Sequence, residues 1–494
     1  MKATRPKIVE ALRGKLRNGH LLVREAGPAG EEQYSCHPVL RDHFRQVLLG
    51  RGREIAGEAA AVMLVGQPLS ERPKSGREHE PVLAAIELLL EAGYFFQADG
   101  LYRGWFENGE LFKRMPALDE GLRCVLGFVG TLERRAQCEH QLSIRRLAFY
   151  LSGAGLCALL VGEVRDALSF FQDSLDAYRG SGDTKNVSII LRNQSELYLF
   201  LGRLGEAEAA SREALLLAEE IGNENGQEDS WASLGAVLST AGRILEATSA
   251  FDQANTIAVT RDPNGEELYS APGIMWADLL LRLGRSSRAR QLTESNLKIC
   301  LHHGASSDIA RCRWILGRID TTECEASAGE HLATAESTLR RGHVLMDLPP
   351  VLLAAAELHA RQSRFDEALQ KAEEALRIAA PRELRLHHAD ALVARGRILL
   401  ALAQALLGDA AATRRAIEKA QDDSEAGLAL AKECGYAWAE RDALRLLSET
   451  TKALGDPARS KTLTEEVRAL ERQLLPEDLP PDPPHARWRA KSRQ

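Results

Sequence analysis

Aromatic residues make up only 5% of this 494-residue chain, although 45% of it is hydrophobic. A core so short of rings must be filled mainly by aliphatic side chains. Hardly any segment shows the Val/Ile/Thr alternation of strands, so the apolar residues belong on helices. The 18 prolines lie mostly away from the periodic segments. Eight cysteines occur without a C-x-x-C pair, and Cys300, Cys312 and Cys324 stand 12 apart, which is no zinc-ligand spacing. Free thiols in a reducing cytoplasm are expected. The opening MKATRPKIVEALRGKLRNGH lacks the apolar stretch of a signal peptide, and no apolar run approaches the 18 or more residues of a membrane span. No G-x-S-x-G, H-E-x-x-H or glycine-rich dinucleotide loop is present. His302-His303 and His387-His388 are adjacent pairs, which point about 100° apart on a helix and share no ligand set. The reading is therefore a chain with no catalytic residues, no metal and no cofactor. A net charge of −7 and a pI near 6.1 make nucleic acid an improbable main partner.

What the chain does have is a repeat. Trp231, Leu234, Gly235, Leu238, Gly242, Ala247, Phe251 and Ala254 fall at offsets 0, 3, 4, 7, 11, 16, 20 and 23. Apolar residues three and four apart make one helix face, Gly242 breaks the run so the chain can reverse, and Gly235 with Ala247 lets two antiparallel helices approach. Phe251 fills the space left over. These are the slots of the tetratricopeptide (TPR) signature. The reversing Gly with its Ala five residues on recurs as Gly162/Ala167, Gly202/Ala207, Gly242/Ala247 and Gly284/Ala289, at spacings of 40, 40 and 42. Gly93/Ala98 extends the array upstream. Ser363/Ala368 extends it downstream, 79 residues after Gly284, with room for one degenerate repeat between. Gly408 and Gly455 read as eroded turns. A period near 40 exceeds the usual 34, so each helix should be about a turn longer than in the minimal repeat. The predicted fold is all-α, a TPR-like α-α superhelix (solenoid) of eight to ten hairpins. In such a fold each repeat is expected to touch only its neighbours.

The first fifty residues differ in kind. Ile8–Arg17 reads as an amphipathic helix, Leu21–Glu25 and Gln33–Cys36 as two short strands around a turn, and His37-Pro38 as the start of a helix through Leu49. Helix, hairpin, helix is the back half of a winged-helix domain. The domain reading is a partial winged-helix remnant at 1–50, a linker or irregular helical segment at 51–80, repeats at 81–472, and a Pro-rich basic tail at 473–494. The stretch 66–81 is rich in Gly, Pro and Ser and reads as linker or loop; the tail, with PPDPP, reads as disordered.

The phrase CHPVLRDHF resembles the end of the winged-helix domain in signal-transduction ATPases with numerous domains (STAND ATPases), with Cys36-His37-Pro38 in the place of that family's Met-His-Asp motif. NQSELYLFLGRLGEAEAA and SWASLGAVLSTAGRILEATSAFDQA resemble the TPR sensor of its bacterial members. The resemblance implies a nucleotide-sensing role for His37, near the β-phosphate of bound ADP. The chain departs from the family in having no G-x-x-x-x-G-K-[ST] loop; Gly14-Lys15 is followed by Leu16. Without that loop no nest of backbone N–H groups and no lysine holds phosphate.

In a TPR superhelix the first helix of each pair lines the concave face. Reading back from the turn glycines gives Arg192, Asn193 and Glu196, then Asp229 and Ser233, then Asp278 and Arg282, then Glu357 and Arg361. Arginine beside asparagine can clamp a peptide carboxylate or backbone. Asp278/Arg282 and Glu357/Arg361 are also i, i+4 pairs of the kind that only stabilise a solvated helix. Tyr198, Trp231 and Phe251 read as core. Three functional readings follow: a non-enzymatic scaffold or sensor holding a protein or peptide in its concave groove; a regulatory fragment or split subunit of a STAND ATPase, with a separate NTPase subunit as partner; and, third, a transcriptional regulator. Purified chain should neither hydrolyse ATP nor bind ADP tightly. Calorimetric titration checks this, and micromolar ADP binding that disappears in His37→Ala would contradict it.

Overall fold

The computed structural model describes residues 22–26, 32–36, 57, 60, 76–109, 117–261, 267–406, 409–477 and 479. The chain divides into two compact units, Met1–Trp105 and Phe106–Gln494. In the first, β1 (Leu22–Ala26) pairs antiparallel with β2 (Glu32–Cys36), Leu22 opposite Cys36 and Ala26 opposite Glu32. This is the hairpin the sequence predicts, with the first strand one residue later than expected and the second beginning one residue earlier. The flanking helices expected at Ile8–Arg17 and His37–Leu49, and His37 itself, lie outside the described residues. Helix α1 (Gly76–Glu91) and helix α2 (Phe95–Trp105) form a hairpin reversing at Gly93, where φ is +83°. The segment expected to be linker to residue 81 is thus helical from Gly76, Pro81 included. This hairpin belongs to the N-terminal unit rather than opening the array.

The second unit is built from nine helical hairpins among the described residues. They pair α3 (Leu118–Val129) with α4 (Leu132–Gln141), α5 (Ile144–Val161) with α6 (Val164–Gly180), and α7 (Thr184–Phe200) with α8 (Leu204–Glu220). Next come α9 (Glu224–Thr240) with α10 (Ile244–Arg261), α11 (Ser270–Arg282) with α12 (Ser286–His303), and α13 (Ser306–Glu323) with α14 (Ala328–Arg341). The last are α15 (Leu348–Arg361) with α16 (Phe365–Ala379), α17 (Arg385–Ala405) with α18 (Ala410–Cys434), and α19 (Ala437–Ala453) with α20 (Pro457–Leu474). The fold is an all-α, TPR-like superhelix.

Turn chemistry sets the period. At Gly202 φ is +69°, and the next residue, Arg203, donates its N–H to the Tyr198 carbonyl at 2.8 Å. That six-to-one bond closes the helix end, and only glycine takes the left-handed conformation without strain from a Cβ. Gly162, Gly242 and Gly284 repeat the arrangement. The degenerate hairpin between Gly284 and Ser363 is α13–α14, whose turn residue is Cys324 at φ +60°. Gly408 lies outside the described residues, whereas Gly455 has φ +97°. Halfway between the turns inside hairpins, Gly182, Gly222, Gly304 and Gly435 make equivalent turns between hairpins. The 40-residue period is therefore two steps of one 17- or 18-residue helix and a short turn.

Packing inside hairpins follows the signature. Phe251 is fully buried, and a Cβ on Gly235 would lie 2.9 Å from its ring. Gly155 stands in the same relation to Phe171, at 2.6 Å. In α7–α8 two serines take these slots. Ser195 donates to the Ala207 carbonyl at 2.8 Å and lies 2.6 Å from the Ser211 hydroxyl, so hydrogen bonds replace the ring. Tyr198 and Trp231 are partly buried against the core, as expected. Helix α5 is long and apolar enough to cross a membrane, contrary to the sequence reading, with half of that window buried. It is apolar on several sides because it packs between α3, α4 and α6.

The expectation that repeats touch only their neighbours is corrected. Trp438 donates its indole N–H to the Ser239 carbonyl at 2.9 Å, 199 residues away, and Gln473 reaches the Gly242 carbonyl at 3.4 Å, 231 residues away. A Cβ on Gly202 would lie 2.3 Å from Cys434 Sγ, and one on Gly242 would lie 2.8 Å from Ala437 Cβ. One continuous buried cluster joins Leu234, Phe251 and Trp276 to Tyr436, Trp438 and Leu474. Successive turns of the superhelix thus touch, because bare glycine corners leave room for the later helices. Leu479 also packs on this cluster.

Gly235→Leu should cost roughly 1–3 kcal/mol by overpacking against Phe251, read from the urea midpoint. Hydrogen exchange should rise across 224–258 and also around 436–447, where the next turn leans on α9. A rise confined to 200–300 would contradict coupling between turns.

Candidate binding channel

The first helices of the later hairpins, α7, α9, α11, α13, α15, α17 and α19, line a channel made of three joined cavities. The first, of about 530 Å³, is polar: Arg192, Asn193 and Glu196 face Asn225, Glu228, Asp229 and Ser233, with Arg261 and the start of α11 beside them. The second, of about 180 Å³, is mainly apolar, with Leu199, Phe200, Ile274, Met275, Trp314, Val351 and Trp438 in its wall. The third, of about 520 Å³, carries Arg318, Arg361 and Arg397 with Glu357, Asp390 and Asp442 around Leu353, Val393 and Ile398. Every groove residue read from the sequence lines one of the three: Arg192, Asn193, Asp229 and Ser233 the first, Glu196 the first and second, Asp278 the second, Arg282 the second and third, and Glu357 with Arg361 the third.

Charges inside are paired across helices. Arg192 bridges from α7 to Asp229 on α9. Arg311 on α13 lies 3.5 Å from Glu196 and 2.8 Å from Asp347, tying α7 to the start of α15. Arg282 bonds Asp278 one turn back at 2.8 Å, and Arg318 from α13 bonds the same carboxylate. Burial alone would raise the Asp278 pKa, but these two guanidinium groups bring it down to about 2. Asp278/Arg282 is thus more than a solvated helix pair. Glu357/Arg361, at 2.9 Å and about half exposed, is such a pair. Burial pushes Glu196 upward against the pull of Arg311.

A second chain of bonds runs from Arg282 to the Tyr436 hydroxyl at 3.3 Å, and from that hydroxyl to Asp390 at 3.1 Å. Burial raises Asp390 to about 6, despite Arg282 nearby. His387, in the apolar cavity, is lowered to about 4 by burial, and its Nε2 has no hydrogen-bond partner among the described residues. Trp314 and Trp438 satisfy their indole N–H groups on the Pro350 and Ser239 carbonyls. Arg318 lies over the Trp314 ring at 4.8 Å, and Arg282 over Trp438 at 5.7 Å.

Sequence reasoning missed Arg311, Trp314 and Arg318 because their helix ends at Cys324, where no glycine marks the register. It weighed His387 only as half of an adjacent histidine pair and missed Asp390 and Arg397, because the turn after α17 reads only as an eroded one and no inner positions are counted back from it. Tyr436 and Trp438 open α19, so only the contact between turns brings them inward.

Among solved structures, a STAND protein with a tetratricopeptide repeat sensor from Pyrococcus horikoshii aligns with 92% of this chain at 13% identity and a TM-score of 0.36. This chain spans 57% of that protein's length. A Rap protein complexed with competence and sporulation factor aligns over 81% of this chain and 99% of its own, at 12% identity and a TM-score of 0.34. The apo quorum sensor NprR from B. thuringiensis aligns over 79% and 99%, at 13% identity and a TM-score of 0.29. No family model and no curated protein matches. At such scores the fold assignment rests on the chain's own hairpins.

The raised Asp390 pKa has a consequence with a definite sign. Between about pH 4 and 6 the folded chain keeps a proton that the unfolded chain has lost, so this group lowers stability as pH rises through that window. Asp390→Asn keeps an acceptor for Tyr436 and removes the buried charge. The variant should be more stable than the parent above pH 6, by up to about 3 kcal/mol, and should converge on it below about pH 4. His387 acts in the opposite direction in both proteins and cancels in the difference. Equal urea midpoints at pH 7 would contradict the assignment.

Proposed function

We propose that this chain is a non-enzymatic, cytoplasmic scaffold or sensor that holds a protein or peptide in its inner channel. The observation that carries the reading is the joining of three cavities along the first helices of successive hairpins, with paired charges at both ends and aromatic walls between. Such a wall offers donors, acceptors and apolar surface in alternation, which suits a polypeptide. A pocket for a drug-sized molecule, typically about 300–1,000 Å³, is lined mainly by apolar side chains, whereas the two cavities of that size here carry charged residues of both signs. Arg192, Asn193, Glu196, Asp229, Asp278 and Arg282 are the contact residues in this reading.

The second reading, a regulatory fragment or split subunit of a STAND ATPase with a separate NTPase subunit, is favoured by one observation. The β1–β2 hairpin stands where the winged-helix resemblance requires it. Translation of the DNA immediately upstream tests this version, and an in-frame P-loop would establish it.

For the groove itself, the paired geometry suggests an exchange of partners. Arg192→Asp with Asp229→Arg restores the ion pair in the opposite sense, so helicity and melting temperature should be unchanged. Capture of the cellular partner in an affinity pulldown should fall. Equal recovery of the same proteins by variant and parent would place the binding surface elsewhere, on the convex face or the C-terminal tail.

A further inference from the structure

The middle cavity of the channel differs from its neighbours, and its wall limits what it can hold. Phe200, Ile274, Met275, Trp314, Val351 and Trp438 make most of that wall apolar. Glu196, Asp278, Arg282, Arg311 and Asp347 also reach it, and each is ion-paired. Arg311 holds Glu196 and Asp347, and Asp278 holds Arg282 and Arg318. His387 is kept uncharged by burial, which lowers it to about 4. The indole N–H groups of Trp314 and Trp438 are spent on the Pro350 and Ser239 carbonyls. A charged occupant would give up its hydration here and find these counter-ions already paired. A neutral, apolar occupant loses no such interaction.

Size and wall composition narrow the class further. The space measures about 180 Å³, and a cavity of roughly 150 Å³ lined by aliphatic and aromatic side chains takes one benzene molecule. Rings in the wall favour a ring in the cavity, through offset and edge-to-face contacts that a saturated ring cannot make.

The position of the cavity gives binding a structural consequence. Its wall is drawn from α7, α9 and α11 on one superhelical turn and from α17 and α19 on the next, with α13 and α15 between them. Trp438, one of its walls, is the residue that bonds across the turns to Ser239. A molecule seated there touches both turns at once, and the site exists only while they are closed.

We propose that the middle cavity binds a small, neutral, single-ring aromatic molecule, which bridges the two superhelical turns and stabilises their closure. The site goes beyond the groove reading: its ligand is a small molecule, held where the turns meet rather than by the polar ends of the channel. A ligand that binds the closed form and not the opened one adds stability by mass action.

The test uses the full chain and fluorine NMR of fluorobenzene, with unlabelled competitors. Fluorobenzene should bind saturably and be displaced by toluene. Benzoate and benzylammonium should compete about tenfold less well or worse, because each carries an unpaired charge into the cavity. Cyclohexane should also compete less well than benzene. Saturating toluene should raise the urea midpoint and slow hydrogen exchange at 436–447, where α19 meets α9. Ala236→Leu fills the space from α9 and should abolish both binding and protection. Met275→Ala enlarges it and should admit naphthalene, which the parent rejects. Ala236 and Met275 are both only partly buried, and circular dichroism checks that the variants keep the parent's helicity. The proposal is overturned if the parent shows no saturable binding, if the charged rings or cyclohexane compete as well as benzene, or if folded Ala236→Leu binds like the parent. Should Ala236→Leu fail to fold, Met275→Ala decides: naphthalene bound by the variant and not by the parent supports the site, and equal behaviour of the two overturns it. Each overturning result leaves the groove reading standing.

Discussion

Everything in the repeat unit depends on the chain reversing about every twenty residues through a left-handed backbone corner. Each reversal ends one helix with its carbonyls satisfied and starts the next at a fixed angle. Where the corner is glycine, the missing side chain serves a second purpose. Gly202 and Gly242 are corners that lie against Cys434 and Ala437 from the following superhelical turn, at separations no Cβ could tolerate. The same residues therefore set the local hairpin and the pitch at which turns stack. At Gly284, with nothing near its Cβ direction, glycine serves the turn alone, and Cys324 and Ser363 take the same left-handed corner with a side chain in place.

Closure of the turns on one another changes the energetics expected of a linear repeat. In an open solenoid, stability is a sum over neighbours. Here Trp438 and Leu474 join the same buried cluster as Leu234 and Phe251, so distant repeats share one core. The inner ion pairs then act within a wall already fixed by apolar packing. Burying charges is costly, and removing one member of such a pair typically destabilises by about 3–5 kcal/mol because its partner is stranded. Arg311, held between Glu196 and Asp347, ties two inner helices to a third and fixes their relative register.

Much of this was legible in the sequence. The Gly/Ala pairs mark the hairpins from Gly162 to Gly284, and counting back from each glycine puts Arg192, Asp229 and Asp278 on the inner wall, where they line the cavities. Two kinds of information were not legible. Contacts between turns join residues some two hundred positions apart, and no periodic pattern marks them; Trp438 on Ser239 is the clearest case. Repeats that replace glycine at the corner hide their register, which is why Arg311 and Trp314, on the helix ending at Cys324, went unseen. The serine pair Ser195/Ser211 shows the same substitution inside a hairpin, where hydrogen bonds stand in for a buried ring.

The central claim is that the superhelix closes on itself and so encloses a channel. Arg165 and Glu383 sit on facing turns and are ion-paired, 218 residues apart, with both side chains accessible. The direct measurement is cross-linking of an Arg165→Cys, Glu383→Cys protein with a short bis-maleimide, followed by peptide mapping. Closure predicts a dominant linked peptide joining these two positions within one chain. An open solenoid would give both thiols singly modified, or linked only to near neighbours in sequence, and that result would contradict the account.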